Sequence, residues 1–273
     1  MADAENARGG PLVIIGGHED KKGDRAILKQ VAERVGGGRL VIATIASGIP
    51  DEYFREYGAV FAELGVSDTV ELYVKGRCDA LDPEKGGLLA EAAGIFFTGG
   101  DQLRISSQIG DTPVERALLE LHARGGVIAG TSAGASVMGE TMLIAGSDSD
   151  SPRIGDINVA PGLALLHDVI VDQHFAERGR IGRLLGAVSR NPRMLGIGID
   201  ENTAIVVESG EFSVIGEGGV TVVDASEVTH SNIAEAHPNR ALSMHGVRLH
   251  VLSAGDHFDL AKRTAGVDKA GRS

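Results

Sequence analysis

Cysteine is nearly absent: Cys78 stands alone in 273 residues, so an internal disulfide is impossible and a Cys-built metal site is not expected. Tryptophan is missing and aromatics make up 4% of the chain, so its core must be filled by Ile, Val, Leu and Ala. No apolar run approaches the ~18 to 20 residues that a membrane helix requires. Positive charge is scarce, with 26 basic against 38 acidic side chains and a formal charge of −12. A nucleic-acid binder needs a basic footprint, so neither nucleic acid nor a membrane is expected as a partner. The opening MADAENARGG carries acids where a signal peptide needs positive charge. The expectation is a cytoplasmic protein with a loose tail over residues 1–10.

Glycine is plentiful, at 39 residues. Short runs that are apolar throughout alternate with segments of helical period. Strands are expected at Leu12–Ile15, Leu40–Ile45, Thr69–Val74, Gly94–Phe97 and Val127–Ala129. Helices are expected at Asp24–Val35, Asp51–Leu64 and Pro113–Ala123. Strands apolar on both faces, with helices between them, imply an α/β protein whose mostly parallel sheet carries helices on both faces. Beyond about residue 190 the strands are shorter and closer: Leu195–Ile199, Ala204–Val207, Phe212–Ile215 and Val220–Val223. Gly-rich turns such as Glu208-Ser209-Gly210-Glu211 read as hairpins. This part, to about residue 260, is expected to extend the same sheet antiparallel. With no linker and no repeat, residues 1–273 read as one domain.

The most informative stretch runs from Val127 to Met138. An apolar strand leads into Gly130-Thr131-Ser132-Ala133-Gly134, then into small residues suited to a helix start. This is the pattern of a nucleophile elbow, in which a serine on a sharp strained turn points its Oγ off the sheet. Gly130 and Gly134 permit close strand–helix approach. A helix N-terminus and the Ala133 N–H would face a developing oxyanion. A second glycine turn, Thr98-Gly99-Gly100-Asp101-Gln102, follows an apolar strand and should open on the same crevice, making Gly100 a candidate second oxyanion donor.

A nucleophilic serine needs a base and an acid behind it. Of nine histidines, His174 stands out: it follows Val169–Val171 within Asp172-Gln173-His174-Phe175 and precedes Arg178, Arg180 and Arg183. Three clustered arginines could be a solvated helix face with stray ion pairs, but in a chain of net charge −12 they favour a pocket that grips carboxylates in bidentate fashion. The residues leave the acid open. Asp200 and Glu201 both follow a strand end, whereas Asp148, Asp150 and Asp156 lie in a polar loop.

Five stretches, in order, resemble peptidase family S51, and within it the cyanophycinases: Gly16-Gly17-His18-Glu19-Asp20-Lys21, Phe97-Thr98-Gly99-Gly100-Asp101-Gln102, Gly130-Thr131-Ser132-Ala133-Gly134-Ala135, Asp172-Gln173-His174-Phe175 with its arginines, and Gly196-Ile197-Gly198-Ile199-Asp200-Glu201. His18 departs from the small residue expected there, a departure that puts none of the expected catalytic residues in doubt. The resemblance implies a flavodoxin-like fold related to class I glutamine amidotransferases, and a triad of Ser132, His174 and Glu201. It implies cleavage of cyanophycin, a poly-aspartate bearing arginine on each side chain, to β-Asp-Arg dipeptides. Gln102, Asp172, Gln173, Arg178, Arg180 and Arg183 would line the substrate pocket. No cofactor or metal is called for, and a homodimer is implied. The nearest alternatives are an aspartyl dipeptidase of the same family, a carboxylesterase, and a non-catalytic binder of acidic peptides.

Overall fold

A computed structural model of the chain describes residues 9–145, 157–235, 237 and 239–267. The polar-loop aspartates Asp148, Asp150 and Asp156 and most of the expected N-terminal tail lie outside the described residues. The strands are β1 (Leu12–Ile15), β2 (Arg39–Ala43), β3 (Thr69–Leu72), β4 (Ala92–Phe97), β5 (Val127–Thr131), β6 (Thr141–Ala145), β7 (Asn158–Pro161), β8 (Val169–Gln173), β9 (Leu195–Ile199), β10 (Thr203–Glu208), β11 (Glu211–Gly216), β12 (Val220–Asp224), β13 (His230–Ser231), β14 (Met244–His245), β15 (Arg248–Leu252), β16 (Asp256–Asp259) and β17 (Thr264–Val267). The helices are α1 (Ala26–Val35), α2 (Pro50–Glu63), α3 (Arg77–Ala80), α4 (Pro83–Gly87), α5 (Gln102–Ile109), α6 (Pro113–Ala123), α7 (Ala133–Ser136) and α8 (Ile181–Arg190).

The main sheet has nine strands in the order β17-β16-β11-β10-β1-β5-β4-β2-β3. From β1 to β3 all neighbours run parallel, while β10, β11, β16 and β17 extend the β1 edge antiparallel. Alternate strand side chains enter two apolar layers. Val13, Ile15, Leu40, Ile42 and Phe96 pack with Leu28 and Val31 of α1 and Phe61 of α2. Ile14, Val41, Ile95 and Phe97 pack with Ile105 of α5 and Leu118 of α6. Strands buried on both faces must be apolar throughout, which is why the runs show no alternation. The parallel order β3-β2-β4-β5-β1 differs from the flavodoxin order 2-1-3-4-5 in that the first strand of the chain takes the last place.

The late strands do not all extend that sheet, as the sequence had led us to expect. β10 and β11 do, through the two-residue turn at Ser209 and Gly210, both at positive φ. Leu195–Ile199 and Val220–Asp224 belong instead to a separate four-stranded sheet of order β15-β12-β9-β8. The reason lies in a three-residue corner between β9 and β10. Asn202 is left-handed at φ 48, and the Asp200 carboxylate accepts from the N–H groups of Ala176 (3.0 Å) and Gly219 (2.9 Å). That corner sends the chain out of one sheet and into the other.

The register brings the carboxyl ends of β1, β5, β4 and β2 level, since Ile15 pairs with Thr131, Gly130 with Phe97 and Phe97 with Ala43. β8 and β9 end together at Gln173 and Ile199 in the second sheet. The crevice above these ends is where a site belongs in an open α/β sheet.

Candidate active site

Ser132 leaves β5 at φ 54, ψ −110, a strained conformation for a residue with a Cβ. Its N–H donates to the Ile15 carbonyl at 3.1 Å, fixing the turn against β1. Gly130 is needed beneath it: a Cβ there would lie 2.5 Å from the Gly134 carbonyl oxygen. The helix that follows, α7, is one turn of four residues. The expected helix dipole therefore shrinks to the few unpaired N–H groups of a single turn, and the Ala133 N–H is the one next to Ser132.

His174 caps the end of β8 and is also left-handed, at φ 48. Its N–H donates to the Gly16 carbonyl at 2.8 Å. Its imidazole lies so close to Gly17 that a Cβ at position 17 would approach the ring to 2.3 Å, and Gly17 itself sits at φ 107. The first glycine pair is thus the floor under the histidine. Ser132 Oγ lies 2.9 Å from His174 Nε2, and His174 Nδ1 lies 2.6 Å from Glu201 Oε1. Glu201 comes from the inter-sheet corner, which the Asn202 N–H ties to the Gly17 carbonyl at 2.8 Å. The serine belongs to one sheet, the histidine to the other, and the acid to the turn that joins them. Asp200, the other candidate acid, spends both oxygens holding that corner.

Burial pushes the His174 pKa below the ordinary value of 6.5; the Glu201 hydrogen bond opposes this, while the charges of Arg178 and His18 add to it. The side chain therefore stays neutral, and able to accept a proton, to lower pH than an ordinary histidine.

Ser132, His174 and Gly100 share a cleft of about 510 Å³. In its floor, the buried Glu19 carboxylate accepts from Tyr57 Oη at 2.5 Å and Thr131 Oγ1 at 2.6 Å, bracing the residue before the serine. Burial raises the Tyr57 pKa well above its usual value, and the Glu19 charge raises it further. On one wall the Lys21 ammonium pairs with Glu56 at 2.8 Å and sits 4.3 Å above the Tyr57 ring. Asp20 lies at the rim, its pKa lowered to about 2 by the backbone N–H groups of Arg25, Gly23 and Lys22. Sequence reading assigned no role to Glu19 or Tyr57. The available signal was an acid shortly after an apolar strand end and a glycine pair, the wrong place for a solvated side chain.

The expected substrate-binding set divides. Gln173 Oε1 lies 3.5 Å from Ser132 Oγ, and Arg178 is exposed close to His174. Asp172, by contrast, is fully buried and cannot meet a substrate guanidinium in this arrangement. Its carboxylate accepts from Arg183 Nε at 2.6 Å, from Arg183 Nη2, and from Arg180 Nη1 at 3.4 Å. Arg180 also donates to the Gln173 carbonyl at 2.5 Å. Arg180 and Arg183 are nearly buried themselves, so this trio frames the end of β8 instead of lining the cleft. Gln102 donates to the Leu143 carbonyl at 2.7 Å; like Gln173 and Arg178 it is not part of the cleft lining, but those two adjoin Ser132 and His174.

Residues 12–215 match the model of peptidase family S51. The chain belongs to that family. It is 42% identical over 255 residues to the cyanophycinase of Synechococcus elongatus, covering 92% of this chain and 79% of that protein. Against the cyanophycinase of Trichormus variabilis it is 42% identical over 258 residues, covering 93% and 86%. Among solved structures, a peptidase from an acI-B1 actinobacterium superposes with TM-score 0.67 at 22% identity, covering 93% of this chain and 98% of that one, so the S51 chain shares its fold. Among the described residues, no helix is long and apolar enough to cross a membrane.

Proposed function

We propose that this S51 peptidase is a serine-type exopeptidase that hydrolyses cyanophycin at backbone aspartyl bonds and releases β-Asp-Arg. The observation that carries the reading is the Ser132–His174–Glu201 chain of contacts, at 2.9 and 2.6 Å, in a protein 42% identical to cyanophycinases over most of its length. His174 Nε2 takes the Ser132 proton as Oγ attacks the aspartyl carbonyl. Glu201, bonded to Nδ1, fixes the tautomer and stabilises the imidazolium. The N–H groups of Ala133 and Gly100 are the proposed oxyanion donors, each contributing about 3–4 kcal/mol to the transition state. The imidazolium then protonates the leaving amine, and a water activated by His174 releases the acyl group. Arg178 and Gln173 are the proposed substrate contacts on the β8 side. Asp172, Arg180 and Arg183 support them from behind by holding the Gln173 backbone. A homodimer belongs to the same reading, and sedimentation of the purified chain tests it.

The decisive experiment is digestion of purified cyanophycin by the wild-type protein and Ser132→Ala, with products read by mass spectrometry. Release of β-Asp-Arg that falls about 10⁵-fold or more in the variant is the expected result. Covalent labelling of Ser132 by a fluorophosphonate, without release from the polymer, would retain the serine hydrolase and reject cyanophycin as its substrate.

A further inference from the structure

His18, where the first glycine motif departs from expectation, stands beside the proposed triad. It follows Gly17 at φ 48, a backbone state that histidine, asparagine and aspartate adopt more readily than most residues. Its side chain is 71% exposed at the mouth of the cleft. Its Nδ1 lies 3.3 Å from Glu201 Oε2, the oxygen that His174 does not use, and its ring meets that of His174 edge-on at 5.1 Å. His18, His174 and Glu201 each bring a ligand atom within 4.8 Å of the others. The atoms are two imidazole nitrogens and one carboxylate oxygen, the donor set that zinc accepts. With zinc–ligand bonds of about 2.0–2.1 Å, the edge of a tetrahedral site is roughly 3.3–3.4 Å, the spacing that already separates His18 Nδ1 from Glu201 Oε2.

We propose that His18, His174 and Glu201 form a reversible inhibitory site for a zinc-class divalent metal, with the fourth position open to the cleft. Binding at His174 Nδ1 would replace the His174–Glu201 hydrogen bond and shift the ring proton to Nε2, the nitrogen that otherwise accepts from Ser132. The metal is a brake on the site and plays no part in the reaction. That it inhibits rests on the reading of Ser132, His174 and Glu201 as a triad, whereas that it binds does not.

The test separates the two. Binding is measured on Ser132→Ala, which keeps all three ligands, by Zn²⁺ calorimetry and by the visible absorption of added Co²⁺. We expect one site per chain with tetrahedral Co²⁺ bands. His18→Asn, which suits the left-handed backbone and removes the imidazole, should weaken it by about a hundredfold or more. In the wild type, micromolar Zn²⁺ should suppress peptide hydrolysis, EDTA should restore it, and His18→Asn should blunt the suppression. Absence of stoichiometric binding and Co²⁺ bands would overturn the site. So would binding that His18→Asn leaves unchanged, since the metal would then sit elsewhere. Binding without any effect on hydrolysis would overturn the inhibitory role while leaving the site intact.

Discussion

Two carboxylates serve the end of β8 in opposite ways. Asp172 is sealed, with both oxygens spent on Arg183 and a third contact from Arg180. Glu201 is 27% exposed, gives one oxygen to His174 and leaves the other turned toward His18. Residues 172 and 174 are two apart, yet one neighbourhood is a closed ion network and the other opens on a cleft. Charge clustered in a sequence thus does not say whether it will meet a ligand or neutralise itself. A buried Asp–Arg pair holds backbone in place, while a half-buried acid behind a histidine leaves that histidine able to change its charge.

The sharpest way to break this comparison is to remove the Glu201 charge without its shape. Glu201→Gln should lower kcat/KM by about 10⁴-fold, because the amide no longer selects the His174 tautomer that accepts from Ser132. Thermal stability should change little, since the side chain is partly exposed. A variant that unfolds while its residual folded fraction turns over normally would make Glu201 a structural anchor of the same kind as Asp172.

Asp172→Ala is the mirror test. Leaving Arg183 buried opposite an empty site should cost about 3–5 kcal/mol in denaturant unfolding. The double change Asp172→Ala with Arg183→Met should recover part of that loss, because both charges then leave together. If Asp172→Ala keeps wild-type stability but loses activity, Asp172 reaches substrate after all.

Gly17→Ala probes the floor that the two neighbourhoods share. A methyl group 2.3 Å from the imidazole, on a backbone at φ 107, must displace His174. A shift near 1 Å at a reacting group costs about 10²-fold in rate. Hydrolysis should fall by that order with the fold retained. Unchanged turnover would show that the histidine is not seated on Gly17.

Much of this was open to sequence reading, for a physical reason. The parallel strands are buried on both faces, so their runs are wholly apolar, and the helices between them keep a 3.6-residue period. Ser132 and His174 are each marked out in the sequence by their near neighbours, the glycines of the elbow and the three arginines, although distant β1 and its glycine pair hold them in place. The residues alone left Asp200 and Glu201 both open as the acid beside His174, because which of them faces the histidine depends on a corner that passes from one sheet to another. Three residues between Ile199 and Thr203 look like a hairpin turn; only the long-range bonds of Asp200 to Ala176 and Gly219 make them a junction. The Asp172–Arg183 pair escaped for the same reason. Its meaning lies in burial, and no local spacing encodes that.

Arg178 supplies the smallest and most selective test, because apart from its proposed contact with substrate it reaches His174 through its charge. It is exposed and lies near enough to His174 to disfavour the imidazolium. A base whose pKa is lowered stays neutral to lower pH, so the acid limb of kcat/KM in the wild type should fall below 6.5. Removing the cation in Arg178→Ala removes a repulsion from the protonated ring. The His174 pKa should then rise and the acid limb move to higher pH. Because the interaction runs through solvent, the difference between wild type and variant should shrink in about 1 M salt, where the screening length is ~3 Å. A limb that moves the same way at every salt concentration would mean that Arg178 acts on His174 by holding the loop, and not through its field.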